Sequence, residues 1–408
     1  MNAIEISHKQ FTTQAIEVVE RKCDGHPDSL ADGLAETLSM RYSQYTKQRF
    51  GAILHHNFDK LALLGGASAV AFGSGSILSP IRVHINGRAS MSFGDDEIPL
   101  NFLLAEWTKD FFRQRLPLLN VDNDLDIVFN LSTQSSPGHS LEGAERHGPR
   151  SFWFKPRSLE DLQELRNLVS NDSSIGVGYA PYSPLERFVL ALDRHLFSKS
   201  FRSAVPWLGS DIKILASQCG SECNLTLAVP QIARCVPSLD DYLSNVSCIR
   251  DAVSEQATIF GIQKINIHVN TRDKPDVPEL YLTAVGSSIE SGDEGLVGRG
   301  NRVNGMITPC RPMSIEGVCG KNPVYHVGKL YCVFAMHLAN IICETFGTPC
   351  EVYLVSQSGR ALNDPWITAV VVEESFSRLA DLRSFVAAQL LALPALTDLI
   401  ISGGLSLF

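Results

Sequence analysis

Leu30, Leu34 and Leu38 recur every four residues, with Ala31 and Ala35 beside them. That spacing predicts a helix over residues 27–49 with one apolar face, and Pro27 suits its first turn. Residues 79–88 instead alternate apolar and polar positions, the mark of a half-buried strand. The same reading predicts strands near 15–20, 51–57, 61–66, 125–131, 210–215, 225–230, 265–270, 280–285, 351–356 and 367–372. Helices are expected over 97–116, where Leu103, Leu104, Trp107 and Phe111 share a face, and over 184–200, 238–260, 329–346 and 376–391. Residues 1–14 read as a loose arm. Residues 132–160, rich in Ser, Gly, Pro, His and Arg, read as a loop able to act as a lid.

Strand and helix thus alternate along the whole chain, which predicts an α/β (α+β) protein. At 408 residues the chain is too long for one ordinary core. Three similar domains fit the recurrence, with approximate bounds 1–135, 136–275 and 276–408 and room for strands exchanged between them.

Charge narrows the function. Lys and Arg number 35 against 44 Asp and Glu, an acidic balance that argues against a nucleic-acid or membrane-surface binder. Residues 1–14 lack the apolar run of a signal peptide, and no run of 18 apolar residues is present. The ten cysteines are scattered, and the four-residue spacing of Cys219 and Cys223 has no second pair to complete a zinc pattern. Reduced thiols in a cytoplasmic protein are expected.

Against this acidic background one stretch stands out. Residues 291–329 hold eight glycines, with Arg299, Arg302, Lys321 and Lys329 among them and Asp293 at the front. Such density suggests backbone pressed close to an anion, and the acid suits Mg²⁺. A long solvated loop is the bland alternative. The stretch is not a P-loop: Ile315 stands where the first glycine belongs, and Asn322 replaces the Ser/Thr after Lys321. Two other places carry candidate chemistry. His26 and Asp28 sit where a helix N-terminus offers free N–H groups. Asp211 and Lys213, two apart in a predicted strand, would face the same way, toward a ligand or as a plain surface ion pair.

The runs GDEGLVGRGNRVNG, ITPCRPMS and GKNPVYHVGK closely resemble the archaeal-type S-adenosylmethionine synthetases (methionine adenosyltransferases), and the likeness extends from about Ile16 to Phe408. It implies three related α/β domains in a pseudo-threefold arrangement, and a homodimer with active sites between subunits. It also implies adenosyl transfer from ATP to L-methionine, followed by cleavage of the triphosphate to pyrophosphate and phosphate. The cofactor implied is Mg²⁺, with the need for K⁺ left open; no nucleic acid or membrane partner is implied. By the family's motifs, His26, Lys213, Arg299 and Lys321 are the catalytic candidates. With Asp172, Arg302, His326 and Lys329 they form the ATP and phosphate set. Asp28, Asp211 and Asp293 match the metal side.

The methionine side departs from the pattern. Ala67 follows the Gly65-Gly66 turn where relatives carry His or Gln. The loop 138–143, with Ser140, lacks the usual acid position, and Ser358 replaces an apolar residue. An enzyme of the same fold with another sulfur acceptor, or one mainly cleaving triphosphate, is therefore a second reading. A non-catalytic regulatory paralogue is a third, and the intact phosphate set argues against it.

Overall fold

The computed structural model describes residues 4–12, 14–134, 152–162, 167–276, 279–405 and 407–408. Its larger sheets are three, each covered by a pair of helices. The first runs in the order Ile265–Val269, Glu222–Ala228, Lys213–Cys219, Ile16–Lys22. Helices Pro184–Leu196 and Leu239–Ile259 pack on it. The second orders Leu125–Ser132, Ile81–Ala89, Ala62–Leu64 and Gly295–Leu296, with His56–Asn57 beside Ile81–Ala89. It carries helices Pro27–Phe50 and Leu100–Arg115. The third orders Ile4–Lys9, Ile367–Glu373, Cys350–Val355 and Ile175–Ala180, under helices Val327–Phe346 and Leu379–Leu391. The mixed α/β class expected from the sequence is the one observed.

Sheet membership does not follow chain order. Ile16–Lys22 pairs antiparallel with Lys213–Cys219, placing Lys22 opposite Lys213. Gly295–Leu296 joins the sheet of Ala62–Leu64. The expected loose arm at the N-terminus is instead partly a strand: Ile4–Lys9 pairs parallel with Ile367–Glu373, and its Ile4 enters the core. Another difference concerns Asp211, which precedes its strand because Ser210 and Asp211 both donate their N–H groups to the Gly286 carbonyl.

Helix Pro27–Phe50 shows why local sequence builds these elements. His26 caps its start by accepting the Asp28 N–H, Pro27 occupies the first turn, and Gly51 ends it at φ 77°, a left-handed conformation that costs glycine least. Its Leu30, Leu34 and Leu38 are fully buried, each worth about 1.5–3 kcal/mol of transfer free energy. Its other face is buried as well, which the leucine spacing did not indicate. Helix Val327–Phe346 is long and apolar enough to cross a membrane by length and composition, yet most of it is buried inside the fold. All ten cysteines are free, and half of them are buried.

Candidate active site

The glycine-rich stretch is organised by three acids spaced four residues apart on helix Pro27–Phe50. Asp28 accepts the Leu296 N–H at 3.0 Å. Asp32 accepts Gly298 N–H on one oxygen at 2.8 Å and Gly300 N–H on the other at 3.1 Å. Glu36 accepts Gly320 N–H at 3.0 Å and the Lys329 ammonium on both oxygens at 2.7 Å. All three are buried. The glycines are needed because this backbone lies directly on the helix: a Cβ on Gly295 would sit 2.0 Å from the Pro27 carbonyl oxygen, and one on Gly300 2.2 Å from Asp32 Oδ2. Much of the anionic contact read from the stretch is therefore supplied by the protein itself. Burial raises the Asp32 carboxyl from its ordinary value to about 7, against the opposing pull of those two N–H groups.

Eight of the candidate residues divide between two cavities with no lining residue in common. One, of about 510 Å³, is lined by His26, Asp211, Lys213 and Asp293, with Leu227, Leu280 and Tyr281 as an apolar wall. His26 Nδ1 accepts the Asp28 N–H at 3.2 Å. Burial holds the imidazole pKa below its usual value, so the neutral ring carries its proton on Nε2 as a donor. Asp211 accepts Ser288 N–H at 2.9 Å and Tyr281 O–H at 3.1 Å, and the Ser288 hydroxyl contacts the same oxygen. Its pKa is raised by burial. Lys213 stands 3.1 Å from Glu20. Asp211 and Lys213, read from the sequence as neighbours on one strand face, thus line the same cavity although Asp211 lies outside the strand.

The other cavity, also about 510 Å³, is lined by Asp172, Lys321, His326 and Ser358, together with His55 and Glu316. Lys321 contacts Glu316, which also accepts the Ser174 hydroxyl at 2.9 Å. His326 is the N-cap residue of helix Val327–Phe346, so each cavity holds a histidine at a helix N-terminus, where partial positive charge favours an anion. Burial, reinforced by Lys321 and Lys329, keeps His326 well below the usual imidazole value and hence neutral. Its Nδ1 is buried without a partner among the described residues, as is His55 Nε2. His55 stacks on Trp153 with the rings 5° from parallel.

Other candidates lie elsewhere. Arg302 donates to the carbonyls of Gly298 and Gly300 at 2.6 and 2.8 Å, and Lys329 is fully buried on Glu36. The Arg299 side chain is exposed, while its carbonyl accepts the Lys22 ammonium. Ala67 begins an exposed hairpin, Ala67–Ala71 with Ser74–Ser79, and lines neither cavity. Ser140 and the loop 138–143 fall outside the described residues. Sequence reasoning passed over Lys22, Asp32, Glu36, His55 and Glu316. The four-residue spacing of Asp28, Asp32 and Glu36 along one helix was a visible signal.

No three His, Cys, Asp or Glu side chains converge on a metal position among the described residues. Among the described residues neither a zinc cage nor an all-protein Mg²⁺ cage is formed. Asp211 and Asp293, on one cavity beside Lys213, fit the other habit of Mg²⁺, one or two carboxylates completed by phosphate oxygens.

Comparison with known proteins gives this arrangement its family. The sequence model of S-adenosylmethionine synthetase (AdoMet synthetase) matches residues 2–146 and 156–404. The S-adenosylmethionine synthase of Hyperthermus butylicus is 37% identical over 97% of this chain and 96% of its own. That of Saccharolobus solfataricus is 36% identical over 96% of both. A solved structure titled an unusual S-adenosylmethionine synthetase, from Campylobacter jejuni, shares the fold with a TM-score of 0.56 at 16% identity, covering 94% of this chain and 99% of that one. The chain belongs to the S-adenosylmethionine synthetase family.

Proposed function

We propose that this protein transfers the adenosyl group of ATP to the sulfur of methionine and then cleaves the displaced triphosphate to pyrophosphate and phosphate. The observation that carries the reading is the convergence of His26, Asp211, Lys213 and Asp293 on one cavity. A thioether is a neutral nucleophile, so the acceleration has to come from in-line positioning and from stabilising the departing polyanion. His26 Nε2–H and the Lys213 ammonium supply donors for that polyanion. Leu227, Leu280 and Tyr281 offer an apolar surface for the nucleoside. Asp211 and Asp293 would hold Mg²⁺, which when bound neutralises charge on the polyphosphate.

The division of the candidates supports a homodimer in which the His26 cavity of one subunit meets the His326 cavity of the other. Lys321, His326, Asp172 and Ser358 then complete the site, with Ser358 on the methionine side. Exposed apolar residues on two of the sheets, Ile16, Leu215 and Leu296, and on the hairpin, Val70 and Leu78, supply surface for a second copy to cover. A cytoplasmic location fits ten free thiols. Incubation with ATP, Mg²⁺ and methionine followed by mass analysis tests the reading: S-adenosylmethionine, pyrophosphate and phosphate are expected. Triphosphate products without any adenosylated sulfur compound would replace it by a triphosphatase reading.

A further inference from the structure

One wall of the His26 cavity is built by two arms of chain, residues 270–273 and 279–281. A side chain outside the cavity lining ties these arms together. Tyr242, on helix Leu239–Ile259, is fully buried. Its hydroxyl donates to Asp273 Oδ2 at 2.6 Å, and accepts from Asn270 Nδ2 at 2.9 Å and from the Tyr281 N–H at 3.2 Å. The one proton and both lone pairs of that hydroxyl are thus engaged. Asp273 Oδ1 shares the Tyr281 N–H, also at 3.2 Å. The Tyr281 carbonyl accepts the Gln231 N–H at 2.9 Å, and the Gln231 side-chain amide donates to the Tyr242 carbonyl at 3.0 Å. Asn270 stands at φ 50°, a left-handed conformation uncommon for a residue with a side chain. Its amide secures it by pairing with both the N–H and the carbonyl of Val229, at 2.7 and 2.9 Å.

We propose that Tyr242 is a positioning residue for nucleoside recognition. Through Asp273, Asn270 and Tyr281 it sets the shape of the wall on which the nucleoside of ATP rests, without touching the nucleotide. Both arms meet on its hydroxyl. Removing that one oxygen leaves the Asn270 amide and the Asp273 carboxylate each short of a partner, and the Tyr281 N–H with Asp273 alone, in a place shielded from water. The effect belongs to the nucleoside end of the cavity. Asp211 keeps the Ser288 N–H and hydroxyl beside the Tyr281 hydroxyl. His26 and Lys213 stand on other elements, at a helix N-terminus and on a strand.

This inference rests on the adenosyl-transfer reading for the choice of ATP, and binding needs no turnover. The test is isothermal titration calorimetry of the full-length protein with Mg²⁺ and either a non-hydrolysable ATP analogue or imidotriphosphate, which lacks the nucleoside. Tyr242→Phe keeps the buried ring. It is expected to weaken the ATP analogue roughly tenfold and to leave imidotriphosphate unchanged. In turnover the KM for ATP should rise in proportion, with kcat at saturation retained. Asp273→Ala should weaken the analogue as well, and the double variant no more than the worse single one, since both act through one wall. Tyr331→Phe removes an equally buried hydroxyl, one that donates to the Leu362 carbonyl at 2.8 Å, and should bind both probes as the native chain does. Equal weakening of the two probes by Tyr242→Phe would overturn the proposal, as would native affinity for the analogue. So would fully additive losses in the double variant, which would put Asp273 on the nucleotide independently of Tyr242. A product assay that finds no S-adenosylmethionine while the nucleoside-selective loss persists would remove the transfer reading alone.

Discussion

Asp32 holds the backbone N–H of Gly298 on one carboxylate oxygen and that of Gly300 on the other, across 266 and 268 residues of sequence. Stability should carry the signature of burying this carboxyl, which outweighs the pull of the two N–H groups. The folded-state pKa of about 7 lies above the ordinary 3.8, so between those values the native state binds the extra proton. The contribution is complete below about pH 4 and is lost as pH rises through 7, on the order of 4 kcal/mol in all. Asp32→Asn cannot titrate, and it gives up one acceptor. It should be less stable than the native chain in acid, with a flatter decline toward neutrality. Denaturant titrations across that range check this; parallel pH profiles would remove Asp32 as a source.

Lys329 should matter to folding more than to phosphate. Its ammonium is fully buried on Glu36, and removing one member of such a pair typically costs about 3–5 kcal/mol. Lys329→Met should lose stability of that order, and pairing it with Glu36→Leu should recover part of it. Unchanged stability with a raised KM for ATP would place the ammonium on the nucleotide instead.

His26 predicts an acid limb in the rate profile. Burial lowers its pKa and so keeps the ring neutral into the usual imidazole range. Below it a proton enters at Nδ1 and displaces the Asp28 N–H. Activity should therefore fall with an apparent pKa under 6.5, and His26→Ala should cut kcat by on the order of 10²–10³. ¹⁵N chemical shifts check the tautomer: a neutral ring protonated on Nδ1 would be incompatible with the cap.

On the proposed reading, acceptor choice should turn on Ser358. It lines the His326 cavity, and its N–H donates to the Ser173 hydroxyl at 3.1 Å, next to Asp172. An apolar side chain there should sharpen packing on an S-methyl group, a gain of about 1–3 kcal/mol per well-placed methylene. Ser358→Ile is expected to raise kcat/KM for methionine relative to bulkier S-alkyl analogues. An unchanged ranking across the panel would mean that Ser358 does not touch the acceptor.

Local pattern disclosed much of this molecule and missed what long-range pairing decides. The leucine repeat announced helix Pro27–Phe50, and alternation announced Ile81–Ala89. Both signals depend only on neighbours in sequence. Ile4–Lys9 went unread because its partner strand lies at the other end of the chain. Asp32 and Glu36 went unread because acids are seldom buried without partners, and their partners sit on a segment far along the chain. For the same reason cations that read alike in the glycine-rich stretch diverge in the fold: Lys321 lines a cavity, whereas Arg302 and Lys329 hold the protein together. His26 and Asp211 were legible through family motifs, but their separation from Lys321 and His326 into two cavities was not, because a motif carries no geometry.

That separation supports the central claim, a site completed between two subunits, and complementation tests it most directly. Asp211→Asn disables the His26 cavity and Lys321→Ala the His326 cavity, and each variant alone should be nearly inactive. Co-expressed, the two chains should form mixed dimers in which one of the two composite sites carries neither substitution. The account predicts recovery of up to about a quarter of native S-adenosylmethionine formation, by random assortment into twofold dimers. A co-expressed mixture that contains folded mixed dimers yet stays as inactive as either variant alone would contradict it, and would place both sets of residues in a site within a single chain.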